Sequence, residues 1–158
     1  MSKPQVTNAM RLLTQARIPF TPLYYDLGGE EFSGEAVCRA LGADERASFK
    51  TLCARGERRG VAVFVVPISG ALDLKLAAQA LGDKAVSLTL VKELNALTGY
   101  ERGGVSPVGM KKRYPTFIDR SAADFERIRI SGGQKGVSLE VNPNALAHYL
   151  NAAFAPLV

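Results

Sequence analysis

One histidine and two cysteines are all that this 158-residue chain offers for imidazole, thiolate or soft-metal chemistry. Cys38 and Cys53 form no CxxC pair and no ligand cluster, so neither a zinc site nor a disulfide framework is expected. Both read as small, reduced, partly buried thiols. No apolar run approaches the ~20 residues that span a bilayer. The opening Met1-Ser2-Lys3-Pro4-Gln5 also lacks the apolar stretch of a signal peptide, which points to the cytoplasm. No GxGxxG follows a strand pattern and no GxxxxGK[ST] occurs, which removes the dinucleotide and P-loop sites. Neither a linker nor a repeat interrupts the chain. With 47% hydrophobic and 22% charged residues, residues 1–158 read as one folded domain whose core needs no metal or staple.

What the chain does have is positive charge and one unusual loop. The formal net charge is +5, with Arg55, Arg58 and Arg59 in one cluster and Lys111, Lys112 and Arg113 in another. Such a field favours phosphate, although charge alone does not establish nucleic-acid binding. Immediately before the second cluster runs Gly103-Gly104-Val105-Ser106-Pro107-Val108-Gly109. Glycine tolerates positive φ and admits a ligand to the main chain, while proline restricts itself and the residue before it. The loop therefore reads as a presenter of backbone N–H groups to a small polar or anionic ligand, with a plain tight connection as the alternative.

Apolar residues at Ala9, Leu12, Leu13 and Ala16 follow the spacing of one helix face. A strand is expected over 20–25, then a glycine turn at Gly28-Gly29, then a helix capped by Ser33 and stopped by Gly42. Residues 48–54 and 61–66 read as a hairpin, the second strand being continuously apolar as in a sheet covered on both faces. Asp73 and Gly82 bracket another helix. Short strands are expected over 86–90, 116–118, 127–130 and 137–141, with a brief helix over 92–97. Asn142 caps a last helix that has Pro143 at its first position and His148 turned outward. This irregular interleaving predicts an α+β, mixed α/β domain built on a central mixed β-sheet surrounded by helices.

Strand alternation places Lys50 on the face of Leu52, where an ammonium must snorkel to solvent or meet a ligand. Tyr25 and Thr51 can add hydroxyls to such a pocket. A hydrolase built on an imidazole base is disfavoured because His148 faces solvent. Asp26, Glu30, Glu31, Glu35, Asp119, Asp124 and Glu140 show no diagnostic pairing for glycoside hydrolysis and read as mostly solvated.

Ser48-Phe49-Lys50-Thr51-Leu52, Leu72-Asp73-Leu74-Lys75, Thr98-Gly99-Tyr100, the GGVSPVGMKKR segment and Ser131-Gly132-Gly133 together resemble the YbaK/ProX aminoacyl-tRNA editing family. The resemblance runs from end to end and is closest to the free-standing YbaK-type Cys-tRNA(Pro) deacylases. It implies removal of a wrongly attached amino acid from mischarged tRNA(Pro), in a pocket on a mixed sheet, with no cofactor and no metal, and with prolyl-tRNA synthetase as a partner. Position by position, it carries the pocket lysine onto Lys50 and its neighbouring threonine onto Thr51. The strand tyrosine falls on Tyr25, the pocket phenylalanine on Phe32 and the loop glycine on Gly103, with Ser106 in the same loop. Ser138 stands where some YbaK-type members carry aspartate, so a carboxylate contact to the substrate ammonium would be absent. In YbaK-type enzymes the substrate cysteine's own thiol attacks its ester, which explains a site without a histidine base. On this reading Gly103 and Gly104 N–H groups receive the oxyanion, Lys50 binds the terminal ribose or phosphate, and the two basic clusters hold tRNA. Two alternatives stay open: a ProX-like Ala-tRNA(Pro) deacylase that uses water, and a non-catalytic tRNA-binding or regulatory module.

Overall fold

The computed structural model describes residues 6–158; Met1 to Gln5, read above as lacking a leader, lie outside the described residues. Helix α1 (Asn8–Gln15) starts at Thr7, whose hydroxyl accepts from the Met10 N–H at 3.3 Å. Strand β1 (Phe20–Tyr24) leads into α2 (Gly34–Leu41), where the Ser33 hydroxyl accepts from the Ala36 N–H at 3.0 Å, satisfying a donor the helix itself leaves unpaired. The expected hairpin is β2 (Phe49–Gly56) and β3 (Gly60–Pro67). It is followed by α3 (Leu74–Leu81), β4 (Val86–Leu88), α4 (Leu94–Thr98) and β5 (Thr116–Asp119). The chain closes with β6 (Ile128–Ser131), β7 (Val137–Val141), α5 (Pro143–Leu150) and β8 (Ala153–Ala155).

The mixed α+β class holds, but the strands form two ladders. One is five-stranded in the order β4-β2-β3-β5-β8, with β3–β5 and β5–β8 parallel and the other pairs antiparallel. The other is three-stranded and antiparallel, in the order β1-β7-β6. They meet at an isolated parallel bridge between Ser48 and Arg129.

Alternation along β2 and β3 sorts their side chains into two cores. Phe49, Cys53, Val63 and Val65 face the three-stranded sheet, α1 and α5, whereas Ala54, Ala62, Phe64 and Val66 face α3. Phe64 is fully buried and stacks on Phe117 with ring centroids 5.6 Å apart. Coverage on both faces explains why β3 reads as an unbroken apolar run. The edge strand β8 was not expected: three residues carry no period, and it forms because α5 returns the chain beside β5. Asp119, one of the acids read together as mostly solvated, is buried; its carboxylate accepts from the Leu157 N–H at 2.9 Å and the Ser121 N–H at 3.1 Å, anchoring the carboxyl-terminal segment.

Asp83 serves a similar purpose at the tip of the hairpin. Its carboxylate accepts from the N–H groups of Arg58 at 3.0 Å and Arg59 at 2.7 Å, in a space left open by the missing side chain of Gly56. These backbone donors, the Arg59 N–H foremost, hold the carboxyl below its ordinary value of 3.8. A depressed carboxylate contributes stability above its unfolded pKa and loses it as pH falls through the folded value. Asp83→Asn should therefore lower the thermal midpoint by a few degrees at pH 7. The difference from wild type should shrink towards zero below ~pH 3, as thermal melts across that range would show.

Candidate active site

The β2 strand is paired with β3 along its whole length, but its other edge is covered only in part. β4 pairs Ala54 to Gly56, and the Thr89 N–H adds one bond to the Cys53 carbonyl at 3.1 Å before the chain turns away. At the opposite end, the backbone pairing of β6 with that edge is, among the described residues, the Ser48–Arg129 bridge alone. Backbone groups of alternate residues point to the same edge in an antiparallel pair, so Thr51 faces the gap as Cys53 and Arg55 face β4. A cavity of about 470 Å3 occupies this gap, walled by α2, by the turn after β4, by β6 and β7, and by the loop at Gly103.

Lys50, Thr51, Tyr25, Phe32, Gly103 and Ser138 all line the cavity, drawn together from five separate stretches of chain. Lys50 is half-buried, as snorkelling beside Leu52 requires. Among the described residues, the Thr51 hydroxyl is the buried side-chain oxygen without a hydrogen-bond partner. Burial raises the Tyr25 phenol above its ordinary value, so it stays protonated and can donate. Phe32 and Gly103 are neighbours, and the Lys135 ammonium lies 5.7 Å from the Phe32 ring centroid. Gly103 has φ +90°, a conformation a side chain would strain, and an added Cβ would lie 2.6 Å from the Lys135 stem.

Two expected loop contributors belong to the scaffold instead. The Gly104 N–H donates to the Glu101 carbonyl at 2.9 Å, so it is engaged within the loop and not offered to an oxyanion. Gly104 is glycine because the Gln134 backbone leaves no room, an added Cβ falling 2.7 Å from the Gln134 Cα. Ser106 is fully buried and its hydroxyl accepts from the Val108 N–H at 3.2 Å, which fixes the loop and removes Ser106 from the cavity wall.

The predicted basic clusters also lie off the wall. Arg58 and Arg59 are exposed at the hairpin tip, six strand residues beyond Lys50 and so roughly 20 Å away. Arg55 is paired with Glu93 at 3.1 Å. Lys111 is exposed beside Gly99, while Lys112 and Arg113 border a second cleft of about 230 Å3 together with Tyr114 and Tyr149. The cations at the cavity besides Lys50 are Arg102 and Arg129, with Lys135 against Phe32. Single residues in loops and short strands gave no signal for these. Ser131 is another omission: it lines the cavity beside its ladder partner Ser138, and only its place in the Ser131-Gly132-Gly133 motif pointed to it.

Both cysteines line the same cavity. Burial pushes the Cys53 thiol up to about 11, so it is protonated near neutrality and a poor nucleophile. The single histidine, His148, is exposed on α5 and is not among the lining residues. The wall thus sets cations, hydroxyls, backbone groups and the Glu35 carboxylate among mostly apolar side chains, with no imidazole base. It is suited to holding an ester and stabilising developing negative charge.

The chain matches the aminoacyl-tRNA editing domain over residues 30–149 and belongs to that family. Its activity is that of an aminoacyl-tRNA deacylase. It is 39% identical over 153 residues, 97% of this chain and 93% of the relative, to EbsC of Enterococcus faecalis, which is provisionally named a Cys-tRNA(Pro)/Cys-tRNA(Cys) deacylase. It is 28% identical over 115 residues, 73% of each protein, to the uncharacterised YwhH of Bacillus subtilis. A solved structure provisionally described as a trans-editing enzyme for prolyl-tRNA synthetase superposes with a TM-score of 0.80 at 24% identity. That superposition covers 94% of this chain and 95% of the other, and it bears on the fold. The mixed α+β class inferred from sequence agrees with these likenesses.

Thr51→Val keeps the shape of the side chain and removes an unpartnered hydroxyl, so the thermal midpoint should hold or rise slightly. Deacylation should nevertheless fall by about tenfold if that hydroxyl orients the ester. Unchanged turnover in the folded variant would remove Thr51 from the site.

Proposed function

We propose that this protein cleaves cysteine from mischarged tRNA(Pro) in trans, with the substrate thiol as the nucleophile. The observation that carries the reading is a cavity combining Lys50, Thr51 and the Gly103 loop, without an imidazole, in a chain 39% identical to a relative named for this substrate. The sulfur of the bound cysteine attacks its own ester carbonyl carbon. A sulfur–carbon bond forms, the bond from that carbon to the ribose oxygen breaks, and the thiol proton ends on the departing ribose hydroxyl. The products are tRNA and a cyclic thioester. Such a step needs positioning, exclusion of water and charge stabilisation, but no protein base.

In this reading Lys50 binds the terminal ribose or phosphate of the acceptor end, and the Gly103 N–H receives the developing oxyanion. Tyr25, Thr51 and Ser138 contact the aminoacyl group, and Phe32 packs over it. The protonated Cys53 does not compete for the ester. Arg55, Arg58, Arg59, Lys111, Lys112 and Arg113 contribute a field for the tRNA body, and Arg102 and Lys135 extend it to the cavity mouth. Phosphate contacts carry no sequence information, so choice of proline tRNA falls to a partner, for which prolyl-tRNA synthetase is the natural candidate.

The test is deacylation of tRNA(Pro) charged separately with cysteine, alanine, serine and proline. Cysteine should be released fastest, and Lys50→Ala should reduce that rate by about a hundredfold or more while the fold persists. Preferential release of alanine would replace the thiol mechanism with attack by water, and no release of any amino acid would sink the reading. Raising salt from ~50 to ~200 mM should weaken tRNA capture by orders of magnitude, with little change in thermal midpoint. Salt-independent turnover would contradict the electrostatic part.

A further inference from the structure

Arg129 is the one cation on the cavity wall whose side chain is engaged on all sides. Its Nε donates to the Ser48 hydroxyl at 2.9 Å, one terminal nitrogen to the Glu140 carboxylate at 3.2 Å, and the other to the Asp44 carbonyl at 3.0 Å. Ser48 in turn donates to the Asp44 carbonyl at 2.9 Å. The side chain is 15% exposed and its Glu140 partner 27%, so the pair is shielded in a way that an ordinary surface ion pair is not. Glu140 sits directly across from Arg129 in the β6–β7 ladder, which fixes one end of the guanidinium to the three-stranded sheet. The other two bonds reach the segment that opens β2, just before Phe49, Lys50 and Thr51.

This is also where the two sheets are joined by backbone, through the single Ser48–Arg129 bridge. Among the described residues, no other backbone pairing joins β2 to β6 before β4 begins at Ala54, although Phe49 and Cys53 share a buried core with Ile128 and Ile130. The open edge of β2 is thus held at one end by β4, and at the other the Arg129 side chain supplies the polar tie to the β6–β7 wall beside the packing of the shared core.

We propose that Arg129 is a positioning and specificity-determining residue: it clamps β2 against β6 and thereby sets the width of the aminoacyl cavity and the placement of Lys50 and Thr51. The inference rests on the editing reading above for its substrate, but not for its mechanics. Lysine cannot substitute, because one ammonium cannot span three acceptors that a planar guanidinium meets with three separate nitrogens. Loosening the clamp widens the gap, which costs turnover through misplacement and costs discrimination through poorer fit around a small side chain.

The experiment compares wild type with Arg129→Lys, Arg129→Met and Glu140→Gln in three measurements. Amide hydrogen exchange should rise in residues 44–52 and 128–131 of Arg129→Met and stay at wild-type levels at the hairpin tip. Inhibition by stable amide-linked conjugates of 3′-amino-3′-deoxyadenosine with cysteine or with leucine should show the preference for cysteine falling about tenfold in Arg129→Lys. In Cys-tRNA(Pro) deacylation the variants should lose mainly kcat, with Glu140→Gln milder than either Arg129 variant. Unchanged exchange in a folded Arg129→Met would overturn the clamp whatever the activity. A loss of turnover with the cysteine preference intact would reduce Arg129 to a structural tie. Wild type that turns over no ester, yet shows the exchange difference and the altered preference, would instead overturn the catalytic reading and leave the clamp standing.

Discussion

The incomplete pairing of β2 is the constraint on which the rest of the structure depends. One edge is sealed along eight residues by β3, which commits Lys50 and Thr51 to opposite faces and fixes their depth in the sheet. The other edge is met by β4 at its far end and by β6 at its near end, so a stretch of extended backbone opens onto a cavity. A sheet completed there would be more regular and would have no site. The unmade strand pairs are tolerated because the hairpin is covered by apolar cores on both faces, each contributing buried side chains worth about 1.5–3 kcal/mol apiece.

The chemistry of the wall follows from the same geometry. Consecutive residues of β2, on opposite faces of the strand, both border the opening at its unpaired edge and bring an ammonium and a hydroxyl to it, while β6 and β7 bring Ser131 and Ser138 side by side. The thiol of Cys53 shares this mostly apolar space but is kept protonated by burial, so it is a poor nucleophile near neutrality. A largely apolar recess of this kind acts by orienting its substrate and placing fixed dipoles where charge develops.

Much of the frame was legible in the residues. The spacing of Leu12 and Leu13, the caps Ser33, Asp73 and Asn142, and the apolar run of β3 all act over a few residues, and each produces the element it predicted. Lys50 stood out because alternation put it beside Leu52, and His148 could be dismissed because helical spacing turned it outward. The division into two sheets was not legible, since nothing local says whether a short strand near residue 130 joins β2 along its length or at one residue. Strand β8 was missed for a related reason: its pairing with β5 is decided by where α5 ends, not by the composition of three residues.

By itself the sequence determined the elements, the charge and the group types available: a lysine and threonine on one strand, a glycine-rich loop, and no imidazole positioned to act as a base. Those properties are set by contacts within a turn or a strand, where spacing is a sufficient guide. Only the tertiary structure decided which of those groups can be used. The Gly104 N–H is spent on Glu101 because the loop folds back on itself, and Ser106 is buried under it. Arg129 rather than the clustered arginines stands at the cavity because β6 closes on Ser48. In each case the deciding partner is a carbonyl, hydroxyl or backbone segment whose position is fixed by how the chain folds on itself, and short-range periodicity carries no information about it.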